Sequence, residues 1–216
     1  MSDLPKGPAS ASASASAADR YPPGPSLGPL LGASGGQAVS LVRAVPDDAL
    51  AAATPCADYD VRALVNHLFQ VVTQFCELAR KKPSDFGDTP DVVGADEHWR
   101  ESFAAAVDEL VRVWSEPGAE EGTTGAMDMP ARTVGCLVLL DLTVHAWDLA
   151  RATGREYRPD PGGAGVVPVL ATAVTGLAPT ARRMGMFAEP LPVRQDAPDF
   201  ERLLAATGRD PGWTRP

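Results

Sequence analysis

The sequence predicts an all-α protein, a bundle of amphipathic helices. Three observations carry this. Apolar residues recur at helical spacing over several long segments, little alternates with period two, and polar or Gly/Pro-rich stretches separate the segments. With 216 residues and 44% apolar content, the chain can bury a core.

Residues 1 to 25 are an Ala/Ser repeat running into a Pro-rich stretch, with nothing to bury, and are expected to be a disordered tail or linker. Residues 26–216 then form one domain. From Leu27 to Val45 the pattern is helical in its second half but weakened by glycines. "PDDAL" follows as a short turn. Asp60 is a good N-cap for the most secure helix. There Val61, Leu64, Val65, Leu68, Val71, Val72, Phe75, Leu78 and Ala79 make a broad apolar stripe, ended by two lysines and Pro83. After the loop "PSDFGDTPDVVG", the segment "ADEHWRESFAAAVDELVRVWSEPG" reads as a helix with Trp99, Phe103, Ala106, Val107, Leu110 and Trp114 on one face. A second loop, "EEGTTGAMDMP", leads into a long helix over 131–153, closed by Gly154. The stretch "GVVPVLATAVTGLAPTARRM" is a further apolar helix, interrupted at Pro168. The C-terminal strap, residues 187–216, reads as extended chain plus one short helix.

Charge and cysteine usage narrow the function. A formal net charge of −9 argues against nucleic acid or an anionic membrane as partner. The three cysteines, Cys56, Cys76 and Cys136, are odd in number and widely spaced, which points to a reducing cytoplasm rather than a disulfide framework. The N-terminus lacks the basic and apolar regions of a secretory signal, and the run "VGCLVLL" is too short to span a membrane. A cytoplasmic protein is expected. Cys76 and Cys136 read as core residues, and Cys56 either packs or lies near a site.

Only three histidines occur, His67, His98 and His145. His98, beside Glu97 near a helix start, reads as a solvated surface residue. His67 shares its stripe with Leu64 and Val71. His145 shares its stripe with Leu137, Asp141 and Leu149, so both imidazoles point inward. A buried imidazole needs partners for both ring nitrogens, and a buried carboxylate is costlier still. Two readings stand on spacing alone: a structural His–Asp pair, or a metal site built from His67, Asp141 and His145 on facing helices. Asp148, three residues after His145, either orients an imidazole or pairs with Arg151 or another arginine. Trp147 lies off that face and packs against a neighbouring helix. No nucleophile elbow, phosphate loop or zinc-finger spacing occurs.

"TPCADYDVRALVNHL", "DLTVHAWDLARATG" and "FAEPLPVRQDAPDFERLLAATGRDP", in that order, resemble an actinobacterial branch of the DinB/YfiT-like superfamily. That branch is similar to the metal-binding domain of mycothiol-dependent maleylpyruvate isomerase. The likeness runs from about residue 36 to 213. It implies a DinB/YfiT-like four-helix bundle with a short C-terminal extension. It also implies one divalent metal held by His67, Asp141 and His145, with the isomerase carrying glutamate at the position of Asp141. Zinc is the expected ion, with nickel, manganese or iron as alternatives, and mycothiol is the implied co-substrate. The implied activity is thiol transfer or isomerisation on a small electrophilic substrate. A non-catalytic divalent-metal-binding protein and a metal-free helical scaffold are the alternatives. The catalytic residues and the cofactor-binding residues stay unassigned. A small molecule is the expected partner, and a homodimer stays open. The isomerase's C-terminal domain, which resembles a sterol carrier protein, is not recognisable here.

Overall fold

The computed structural model describes residues 24–215. The expected N-terminal tail therefore lies almost wholly outside the described residues. Seven helices follow in chain order: α1 (Leu27–Arg43), α2 (Val61–Ala79), the single turn α3 (Val92–Ala95), α4 (Trp99–Trp114), α5 (Ala131–Thr153), α6 (Val166–Arg183) and α7 (Asp199–Ala206). The all-α expectation holds. A two-stranded antiparallel ribbon, Thr123–Thr124 with Met129–Pro130, lies in the loop before α5.

α1, α2, α4 and α5 form the bundle. α1 and α2 each pack against both α4 and α5, so they stand at opposite corners of a square. α5 is the central helix. It is long and apolar enough to cross a membrane by length and composition, yet 89% of that window is buried among its neighbours. That reads as a core helix wrapped by others. α6 packs on α5, and α7 packs on α6.

Three local expectations are corrected. α1 is helical from Leu27 onward, not only in its second half. Leu27, Leu30 and Leu31 are fully buried, and Gly35 lets α1 approach α4 so closely that an added Cβ would stand 2.6 Å from Val107 Cγ1. Tertiary packing outweighs the propensity cost of the glycines, about 1 kcal/mol each. Nor does Pro168 interrupt α6. It falls in the first turn, where an unbonded backbone nitrogen costs nothing, and the interior proline is Pro179 on the exposed face. α4 also begins at Trp99, later than the segment read as helical, with α3 as a separate turn before it.

Polar contacts pin the loops. On α2, the buried Asn66 donates to Asp91 and accepts from Val93 N–H, while Gln70 donates to the Asp88 carbonyl and accepts from Thr89. Trp114 donates its indole N–H to the Phe75 carbonyl, tying α4 to α2. Ser34 and Thr143 join α1 and α5 by a buried 2.8 Å hydrogen bond.

Candidate metal centre

The segment before α2 builds one wall of the site. The buried Thr54 hydroxyl accepts from Cys56 N–H and lies 2.8 Å from the Tyr59 carbonyl, to which it donates, closing residues 54–59 into a tight loop. Asp60 then caps α2 by accepting from Ala63 N–H at 2.8 Å. This fixes where α2 starts, and His67 follows two turns in. Its ring stacks on Tyr59 with centroids 4.9 Å apart, and its Nδ1 lies 3.3 Å from the Tyr59 hydroxyl.

α5 supplies the opposite wall. The i, i+4 spacing places Asp141 Oδ1 3.8 Å from His145 Nε2. The two imidazoles meet edge to face at 4.9 Å. One ligand atom from each of His67, Asp141 and His145 lies within 4.8 Å of the others. The three residues singled out in the sequence therefore converge. His98 stands apart and exposed, while Cys76 and Cys136 are buried in the core.

His145 is oriented from behind. Its Nδ1 lies 2.9 Å from Asp148 Oδ2, and the Asp148 side chain is fully buried. Nδ1–H donating to that carboxylate leaves the Nε2 lone pair facing Asp141. The Nε2 and the Asp141 carboxyl then face each other at 3.8 Å, a gap that either a proton or a metal cation would bridge. Asp148 Oδ2 also pairs with Arg209 Nη2 at 3.5 Å, so both readings of Asp148 from the sequence are realised together, with Arg209 rather than Arg151 as the arginine. Arg151 instead donates Nε–H to the Trp213 carbonyl at 3.0 Å, fastening the C-terminal segment to α5.

Burial sets the protonation of the donors. Desolvation, reinforced by the charges of His145 and Arg209, holds the His67 imidazole down to a pKa of about 3, so it is neutral near pH 7. Desolvation pushes the Asp141 carboxyl up, against the opposing pull of His145 and Arg209. Its side chain is 32% exposed, so the centre is open to solvent on that side. Burial also raises the Tyr59 hydroxyl and the Cys56 thiol.

Arg209 and Tyr59 escaped the sequence reading. Arg209 sits one residue beyond Gly208, in "ATGRDP". Thr207 closes α7, Gly208 N–H bonds the Ala205 carbonyl, and Arg209 N–H bonds the Leu204 carbonyl. Gly208 has φ of +85° with Ala188 pressed against it, so glycine is needed there twice over. The helix end was legible in the sequence, but its aim at a residue 61 positions earlier was not.

The fold and this centre together define a helical-bundle protein with a two-histidine, one-carboxylate site between α2 and α5. The chain belongs to the mycothiol maleylpyruvate isomerase N-terminal domain family, whose model matches residues 31–150. Among its relatives are two uncharacterized proteins of Mycobacterium tuberculosis, Rv0738 of strain H37Rv and MT0763 of strain CDC 1551. Each is 30% identical over 173 residues, covering 79% of this chain and 90% of the relative. No solved structure matches the chain at a significant level.

Proposed function

We propose that the protein is a metal-dependent enzyme that uses a small thiol, mycothiol, as co-substrate in a transfer or isomerisation on a small electrophilic substrate. The observation that carries this reading is the pair His145–Asp148. A buried carboxylate fixes the tautomer of a histidine whose free nitrogen faces a second carboxylate and a neutral histidine. Two imidazoles and one carboxylate suit zinc first, with nickel, manganese and iron also compatible. His67, Asp141 and His145 would hold the ion and leave positions open, as catalytic rather than structural sites do. When bound, the ion supplies positive charge that favours the thiolate form of a co-substrate thiol.

The chain's own residues set the stage for that chemistry. Asp141 offers the exposed side of the centre, through which a substrate enters. Its carboxylate charge balances part of the charge of the cation. Asp148 holds the His145 ring in place, and Tyr59 covers the His67 ring by stacking. The expected setting is the reducing cytoplasm, where the free thiols Cys56, Cys76 and Cys136 persist.

Elemental analysis of protein purified without an affinity tag tests the metal. About one divalent ion per chain is expected for a single site, lost in His145→Ala. Equal content in both proteins rejects the assignment. Mycothiol consumption in the presence of electrophiles tests the catalysis. Metal uptake without any thiol turnover favours the second reading, a non-catalytic metal-binding protein.

A further inference from the structure

His145 stands between two donor sets. On its Nε2 side are Asp141 and His67. On its Nδ1 side are Asp148 and Cys56, and one ligand atom each from Cys56, His145 and Asp148 again lies within 4.8 Å of the others. All three residues of this second set are buried. Asp148 Oδ1, in a side chain with no exposure, has no hydrogen-bond partner. A thiolate, an imidazole and a carboxylate would be the softer of the two sets, and on ligand preference alone zinc or cobalt would take it readily.

A cation already stands beside it. Arg209 Nη2 is 3.5 Å from Cys56 Sγ and 3.5 Å from Asp148 Oδ2, so one guanidinium nitrogen reaches both the thiol and the carboxylate of this set. The turn after α7 delivers it there. Gly208 turns the chain, Arg209 Nη1 donates to the Thr207 carbonyl, and only 12% of the Arg209 side chain is exposed. A guanidinium stays charged at any working pH and cannot ligate a metal. A divalent ion beside it in a buried space would meet strong like-charge repulsion.

We infer that Arg209 selects which donor set the metal takes, by filling the cation position of the Cys56–Asp148–His145 set and so keeping Cys56 out of the coordination sphere. This deepens the metal reading above, since it concerns the choice of donors at the same histidine. Arg209 acts as a positioning residue. It keeps Asp148 available for His145 Nδ1–H, and so keeps the Nε2 lone pair on the side of His67 and Asp141. A neutral imidazole has one lone pair, so occupation of the second set would move its proton from Nδ1 to Nε2 and release the Cys56 proton to solvent. The two sets are therefore alternatives.

Cobalt(II) distinguishes them, because a thiolate ligand adds a near-ultraviolet charge-transfer band that imidazole and carboxylate do not give. The wild type should bind cobalt without that band, and His67→Ala should lose cobalt without gaining it. Arg209→Gln combined with His67→Ala should bind cobalt with the band, and adding Cys56→Ser should abolish it. Arg209→Met, close to arginine in aliphatic length, replaces the glutamine variant if that one fails to fold by circular dichroism. A thiolate band in the wild type or in His67→Ala overturns the inference, as does a folded Arg209 double variant without one. Failure of the parent reading looks different: wild-type cobalt uptake would then not depend on His67.

Discussion

The Nδ1 of His145 and the Oδ2 of Asp148 lie 2.9 Å apart on a single face of α5, with neither side chain more than 6% exposed. The bond ties the chemistry of the centre to a carboxylate outside the His67–Asp141–His145 set. Asp148→Asn keeps the size and one acceptor but removes the charge that favours Nδ1–H and balances Arg209. Metal affinity should fall by roughly 10–100-fold, the usual loss for such outer partners. Competition with a chromophoric chelator measures it. Unchanged affinity would reduce Asp148 to a packing residue.

Asp141 separates the metal reading from the structural one. As a ligand it must be ionised, so Asp141→Asn, which keeps the shape, should lose most of the metal. Asp141→Glu should retain it, since the exposed side of the residue has room for a methylene and the isomerase that the chain resembles carries glutamate there. The expected order of retention is Asp ≈ Glu ≫ Asn. In a metal-free core the outcome would invert, with Asn mild because it still accepts a hydrogen bond and Glu destabilising by overpacking.

Acid should destabilise the metal-free chain through His67. An unfolded histidine takes up its proton near pH 6.5, whereas folded His67 does so only at about pH 3. Between these values the unfolded state binds the extra proton. The contribution of His67 is therefore fully present above pH 6.5 and is lost progressively as pH falls toward 3. Asp141 acts with opposite sign, because its raised pKa lets the folded state keep a proton longer. The comparison is accordingly with His67→Gln: its melting temperature should fall less between pH 7 and pH 4 than that of the wild type. Parallel curves would remove His67 as the source.

Two glycines in the bundle should respond in opposite directions. Gly36, on the exposed side of α1, has open space where a Cβ would go, so Gly36→Ala should stabilise by about 1 kcal/mol through helix propensity. Gly135, on α5, faces Leu27 and the Trp114 ring, whose Cζ3 would stand 2.8 Å from an added Cβ. Gly135→Ala should destabilise by about 1–3 kcal/mol despite the same propensity gain. Chemical denaturation of the two variants measures both signs.

The sequence by itself determined the helical periods, the Asp60 cap, the Gly154 stop and the inward stripes carrying His67, Asp141 and His145. These are local properties, written in spacings of three and four residues and in the turn preferences of single residue types. The α5 pair was legible for that reason: i and i+4 are neighbours in any helix. Local rules failed for α1 and for Pro168. The glycines of α1 are compensated by contacts with α4, which lie some seventy residues away, and the effect of a proline depends on which turn it occupies. Only the tertiary structure decided that Arg209 reaches Asp148 and Cys56, that Tyr59 covers His67, and that Cys56 stands behind His145. Each of these is a meeting of residues far apart in the chain or on opposite sides of a loop. Such meetings are set by the way α5, α7 and the loop before α2 bury their apolar faces together, and no short-range pattern records that.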